Sequence, residues 1–249
     1  MPLISIGLLQ QQQAASAGVK AYPELTQMVQ NSQVVDFFDR DTLNPTNAVA
    51  YYTSNITGTA SVVMTSGTVA IATGTTVASD VDVRIDGMLL SRASNFIDGK
   101  GILNIDIIFA PSSAVGNEFF LGILLQSTQT ALTALPTTAR HIGIRFDDSA
   151  DTNYVLTSGN NSAQSTTTTG TAPVDGTRVR LNINLTGADA ATATLFTGSN
   201  LDTEDTVHTV TSYHSGFAIN GPSGIHFFLN NEGGVNEQIN VDEWSANVL

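Results

Sequence analysis

Cysteine is absent from the 249-residue chain, which excludes disulfides, zinc–thiolate centres and thiol nucleophiles together. Basic residues are scarce: 9 Lys and Arg stand against 22 Asp and Glu, a formal net charge of −13. Phosphate backbones and anionic lipid surfaces both call for a cationic footprint, so neither nucleic acid nor membrane is expected as a partner. No run approaches the ~20 apolar residues that span a bilayer. Leu3 to Leu9 is apolar but short, broken by Ser5 and Gly7, and preceded by no basic residue, so a signal peptide is not expected. No segment of helical length shows a 3.6-residue apolar period. A Gly-rich phosphate loop and a nucleophile elbow are missing as well. His141, His208, His214 and His226 are scattered without zinc-site spacing and read as solvated or hydrogen-bonded side chains.

What is present is a strand-forming composition. Hydrophobic residues make up 41% of the chain and charged residues 12%, enough to bury a core without cross-links. Threonine is abundant, and β-branched residues favour pleated, half-buried surfaces. Val81, Val83 and Ile85 alternate with Asp82, Arg84 and Asp86; Leu103, Ile105, Ile107 and Phe109 alternate with Asn104 and Asp106. The cleanest case sets Val179, Leu181, Ile183 and Leu185 against Arg178, Arg180, Asn182 and Asn184. Period two marks a strand with one buried face, so the four apolar residues should lie inside and the two arginines outside. Ser66-Gly67, between Ser61–Thr65 and Thr68–Ala72, reads as a two-residue hairpin turn. Glu118 to Gln126 is apolar on both faces and predicts a central, well-covered strand. About a dozen such segments with short connections predict an all-β fold, a two-sheet antiparallel β-sandwich of the jelly-roll kind. The Thr-rich stretches Gly159–Thr171 and Gln126–Thr138 read as exposed loops.

Residues 1–34 differ. Gln10 to Gln13 and the Ala/Ser stretch to Ala17 carry no alternation. The chain therefore divides into an N-terminal arm, 1–34, and a β-sandwich domain, 35–249. The arm's apolar side chains, Leu3, Ile4, Ile6, Leu8 and Leu9, are expected to pack on a partner and not on the arm's own sandwich.

Several phrases carry a family resemblance: Asp36-Phe37-Phe38-Asp39-Arg40-Asp41, Gly101-Ile102-Leu103-Asn104-Ile105, Asp175-Gly176-Thr177-Arg178, and Ile239-Asn240-Val241-Asp242-Glu243-Trp244. In their order from Val35 to Leu249 they resemble the concanavalin A-like lectin/glucanase superfamily. The resemblance implies a last strand that returns to pair near the first. Glucanases of this superfamily carry Glu-x-Asp-x-Glu along one strand, because glycoside hydrolysis needs a carboxylate pair. That motif is absent. The nearest row, Asp80, Asp82, Arg84 and Asp86, lacks Glu and reads as a solvated strand face, while Asp242 and Glu243 are strand neighbours expected on opposite faces. No enzymatic activity is expected.

Calcium is the one cofactor the residues suggest. Asp36, Asp39 and Asp41, and again Asp147, Asp148 and Asp151, offer hard oxygen ligands, or else carboxylates that bond their own turn. A lectin site would need an aromatic platform, for which Trp244 and Tyr154 are the candidates. A Gln/Ala-rich arm, a cysteine-free sandwich rich in Thr, Gly and Ala, and low charge density together resemble bacteriophage decoration and head-fibre proteins. That resemblance implies a non-enzymatic protein at a virion's capsid surface, a decoration or cement protein. Its partners would be the major capsid protein or neighbouring subunits in a homo-oligomer. The alternative is a carbohydrate-binding lectin-like module or a tail receptor-binding protein, with a glycan as ligand.

Overall fold

The computed structural model of the chain describes residues 33–36, 52–65, 67–85, 103–112, 117–125, 131–186, 190–211 and 223–248. Among them run fifteen strands and no helix. They are β1 (Gln33–Asp36), β2 (Tyr52–Ile56), β3 (Ser61–Thr65), β4 (Thr68–Ala72), β5 (Asp80–Ile85), β6 (Leu103–Pro111), β7 (Asn117–Leu125) and β8 (Arg140–Asp147). After these come β9 (Val155–Gly159), β10 (Gln164–Thr168), β11 (Val179–Thr186), β12 (Ala190–Thr197), β13 (Thr203–Thr211), β14 (Ser223–Asn231) and β15 (Gln238–Val248).

Two antiparallel sheets result. One has eight strands in the order β13-β12-β11-β6-β15-β4-β3, with β1 beside the later half of β15; the other has seven, β10-β9-β8-β7-β14-β5-β2. The closing strand does return to the first, with Trp244 opposite Asp36. β1 starts at Gln33, so it takes in the last two residues of the segment 1–34. The arm residues Leu3, Ile4, Ile6, Leu8 and Leu9 lie outside the described residues.

The expected alternation builds the core. Val179, Leu181 and Ile183 are buried, Leu185 packs half-buried against them, Arg178 is exposed and Arg180 half-exposed. Phe109, Leu181 and Trp244 of one sheet share a single apolar cluster with Phe119, Ile144 and Phe227 of the other. Each such side chain contributes about 1.5–3 kcal/mol when fully buried. Where the hairpin turn is expected, Thr65 pairs with Thr68 and Gly67 adopts φ +83°, a conformation that favours glycine, while Ser66 lies outside the described residues.

Two expectations change. The stretch Gly159–Thr171 contains β10, whose threonines pair residue by residue with β9, Thr167 opposite Leu156. Its consecutive β-branched residues hold the chain extended even though little apolar surface is buried. In β15 the register slips between Val241 and Glu243, opposite Ile108, while Val241 and Trp244 both stay in the core. The bulge brings Asp242 and Glu243 to the same outer side, not to opposite faces. Asp242 pairs with Arg178 at 2.7 Å and accepts from Thr68 Oγ1 at 3.0 Å. Burial first, and then the neighbouring Asp106, raise the pKa of Glu243, and the same Arg178 opposes them.

Candidate functional site

Alternation would leave the outer face of the seven-stranded sheet in water. Over β5, β14, β7 and β8 it is buried instead. Asp82, Phe120, Phe228 and His141 are each 0% exposed, His226 is 2% and Glu118 9%. Register sets Asp82, Phe228, Phe120 and Arg145 in one row across β5, β14, β7 and β8, and Asp80, Asn230, Glu118 and Asp147 in the next. The cover is residues 131–139, a strap without regular structure that crosses these strands. The solvated strand face expected for Asp80, Asp82 and Arg84 is therefore corrected, while in the expected loop Gln126–Thr138 residues Thr133, Ala134, Thr137 and Thr138 are exposed but Leu132 and Pro136 are buried. The two leucines of the strap, Leu132 and Leu135, had an apolar place to go.

That place is a small second core of Phe120, Leu124, Leu132 and Phe228, with Leu135 and Ala139 packed against it. Gly122 and Gly143 face each other across β7 and β8. A Cβ on Gly122 would stand 2.9 Å from Phe120 Cζ, and one on Gly143 2.9 Å from Phe120 Cε2. The phenyl ring thus covers both glycines, an aromatic filling the place of two missing side chains. Its edge meets the His141 ring at 5.6 Å and 86°.

Polar groups of the groove hold the strap by its backbone. Leu132 N donates to Asp82 Oδ2 at 2.7 Å. His226 Nδ1 lies 3.1 and 3.0 Å from the two oxygens of the same carboxylate, which assigns the proton to Nδ1. Leu135 N donates to Glu118 Oε1 at 3.3 Å, and Asn230 Nδ2 to Glu118 Oε2 at 2.6 Å. His141 Nδ1 donates to Ala139 O at 2.7 Å, and its Nε2 accepts from Thr157 Oγ1 at 3.0 Å. Gln164 Nε2 donates in turn to Thr157 Oγ1 at 3.0 Å. Burial drives the pKa of His141 down to about 4, keeping the ring neutral in this chain of bonds. These are partnered carboxylates under a lid of backbone.

The other candidates fall elsewhere. Asp147 Oδ1 accepts from Ser149 N at 2.9 Å and from Ser149 Oγ at 2.6 Å. Asp151 Oδ2 accepts from Asp147 N at 3.1 Å, and its Oδ1 lies 3.5 Å from Arg145. Asp147 Oδ1 and Asp151 thus bond their own turn and Arg145, and Asp148 is exposed beside them. Among the described residues no group of three or more His, Asp or Glu converges as a metal set. Asp39 and Asp41, and the side chain of Asp36, lie outside the described residues. Trp244 and Tyr154, 0% and 1% exposed, offer no ring face to a glycan. They were drawn inside because they sit on core-facing positions, Tyr154 against Phe109, Phe119 and Phe146. His208 takes Ser158 Oγ at 2.9 Å and Thr167 Oγ1 at 2.8 Å, a bridge from β13 to β9 and β10 that fastens one side of the sandwich. At 3% exposure, with a hydroxyl on each ring nitrogen, it works as a staple between the sheets.

The peanut lectin structure shares 12% identity with the chain over 89% of it and 98% of the lectin, with a TM-score of 0.59. The fold is the concanavalin A-like sandwich. A protein of unknown function from Shewanella oneidensis MR-1 matches at 15% identity, 88% and 86% coverage and TM-score 0.57. The CBM2 module of the evolved Dit protein of Lactobacillus casei BL23 phage J-1 matches at 14% identity, 88% and 97% coverage and TM-score 0.56. No protein-family model matches the chain, and no curated protein does. The concanavalin A-like sandwich here differs from the sequence-level expectation chiefly in its strapped groove. The one signal for it was the pair of leucines in the Thr/Ala-rich stretch, Leu132 and Leu135, opposite a β7 apolar on both faces.

Proposed function

We propose that the protein is a non-enzymatic structural component of a bacteriophage particle, a decoration protein that attaches to the capsid shell through its arm and its sandwich. The observation that carries this reading is the sealed groove. The described face where carboxylates gather is closed by the chain's own residues 131–139, with Asp82 and Glu118 bonded to strap amides. On that face the buried carboxylates are engaged by the chain itself, which leaves surface and arm as the means of attachment in this reading. The likeness to a phage module supports the setting. Mass spectrometry of purified particles tests it: copies in proportion to the capsid lattice are expected, and a handful of copies placed at the tail would overturn it. Deleting residues 2–32, just ahead of β1, is expected to leave a folded sandwich that no longer co-sediments with particles.

A second reading, a carbohydrate-binding module, is favoured by the same CBM2 likeness and by a lectin matched in complex with galactose. Retention of the protein on host cell-wall polysaccharide, competed by a simple sugar, would favour it over the first.

A further inference from the structure

We propose that the strapped groove is the acceptor for the N-terminal arm of a neighbouring copy, which exchanges for residues 131–139. The proposal rests on the arm being a docking segment, as argued above, and names where it docks. The strap shows what the groove takes. Leu132 and Leu135 both turn towards the second core, and each donates its own N–H to a carboxylate, Asp82 on β5 and Glu118 on β7. These strands lie on either side of β14, and the two carboxylates stand in neighbouring rows, Asp82 with Phe228 and Glu118 with Asn230. The strap bridges them in three residues, with bends at Thr133 and Ala134. The groove therefore reads an apolar residue, two spacers and a second apolar residue, with both N–H groups free.

The arm repeats that spacing in Leu3, Ile6 and Leu9, with no proline after Pro2 in the run. Its charge also suits the site. The groove presents Asp80, Asp82 and Glu118, and the chain carries 22 acidic residues, yet none precedes Glu24. Residues 131–139 form no strand: Leu132 N, Leu135 N and Ala139 O bond side chains, and Asn161 N bonds Thr138 O, so exchange of the strap breaks no sheet ladder. β1, through which the arm joins the sandwich, belongs to the opposite layer.

A fluorescent peptide of residues 1–12 is titrated into the full chain and into its Leu132→Ser variant. A weakened strap competes less, so about tenfold tighter binding to the variant is expected. The peptide carrying Ile6→Ser should lose binding to both. Amide exchange at 131–139 in the wild-type chain should quicken when peptide is added, a readout that does not depend on the variant folding well. Equal affinity for both proteins with unchanged exchange would overturn the exchange while leaving arm docking intact. No binding, together with normal particle attachment after deletion of residues 2–32, would overturn both. A full-chain Ile6→Ser variant is expected to sediment as a smaller species at a concentration where the wild type assembles; identical sedimentation would overturn the copy-to-copy form.

Discussion

The two faces of β7 are both buried, and they are built by opposite rules. Phe119, Leu121 and Ile123 point into a core of aliphatic and aromatic groups shared by two sheets. Phe120 and Leu124 point the other way, into a thin layer where Asp82, Glu118, His141 and His226 are buried beside them. Inside, stability comes from packing, which is non-directional and spread over many neighbours. Outside, it depends on a few directional bonds, each of which leaves a buried group unpaired if its partner is lost. The difference teaches that an apolar strand face is not enough to say what covers it. One face found a sheet and the other found a strap.

The sharpest way to break the comparison is to damage each face in turn. Phe119→Ala should cost about 3–5 kcal/mol of global stability through lost burial and a cavity, read as a lower denaturant midpoint for the whole sandwich. A loss under ~1 kcal/mol would mean that the inner face is not the main core. Asp82→Ala should cost about 3 kcal/mol by stranding Leu132 N and His226. Its signature should be local, with amide exchange rising at 131–139 before the remaining strands open. Uniform loosening of the whole sandwich would show that the strap is part of the main core.

The inner face was legible because its signal is periodic. Val179, Leu181 and Ile183 reveal their side by alternation alone, and Glu118 to Gln126 shows cover on both sides. The strap was illegible for the converse reason. Two leucines three apart in a Thr/Ala-rich stretch make no period. The carboxylates that receive their N–H groups, Asp82 and Glu118, lie 50 and 17 residues away in sequence. Asp82 looked solvated because alternation assigns it to the outer face, and nothing local says that the outer face is covered. Trp244 and Tyr154 were misjudged by residue type, since an amphipathic aromatic suits a binding site or a core equally.

Acid should separate the two faces without mutation. Unfolded, His141 takes a proton near 6.5; folded, burial delays this to about 4. Between these values the unfolded chain binds a proton that the folded one refuses, so stability present above pH 6.5 is lost as pH falls through the window. The loss is on the order of 3 kcal/mol. His208, also lowered by burial, acts in the same direction. The raised carboxyls of Asp151, Glu232 and Glu243 act oppositely. Comparing wild type with His141→Gln isolates the ring: its stability should fall less between pH 6.5 and 4. Parallel curves would show that His141 does not set the acid limit of the outer face.

The smallest effect tests whether the inner face is as free of polar demands as its packing implies. Tyr154 is 1% exposed, with ring edges meeting Phe109 at 6.0 Å and 81°, Phe119 at 6.2 Å and 61°, and Phe146 at 6.4 Å and 69°. Its hydroxyl is buried with no hydrogen-bond partner among the described residues, and burial pushes its pKa up. An unpaired buried hydroxyl costs free energy that the phenyl ring of Tyr154→Phe does not incur, while the edge contacts persist. The substitution should therefore stabilise the sandwich by about 1 kcal/mol, a rise in Tm of roughly 2–4 °C for a domain of this size. The matching change on the outer face, Thr157→Val, removes the hydroxyl that bonds His141 and Gln164 and should lower Tm instead. Opposite signs would confirm that the two faces obey different rules. A fall in Tm for Tyr154→Phe would place a bonded polar group inside the core and end the contrast.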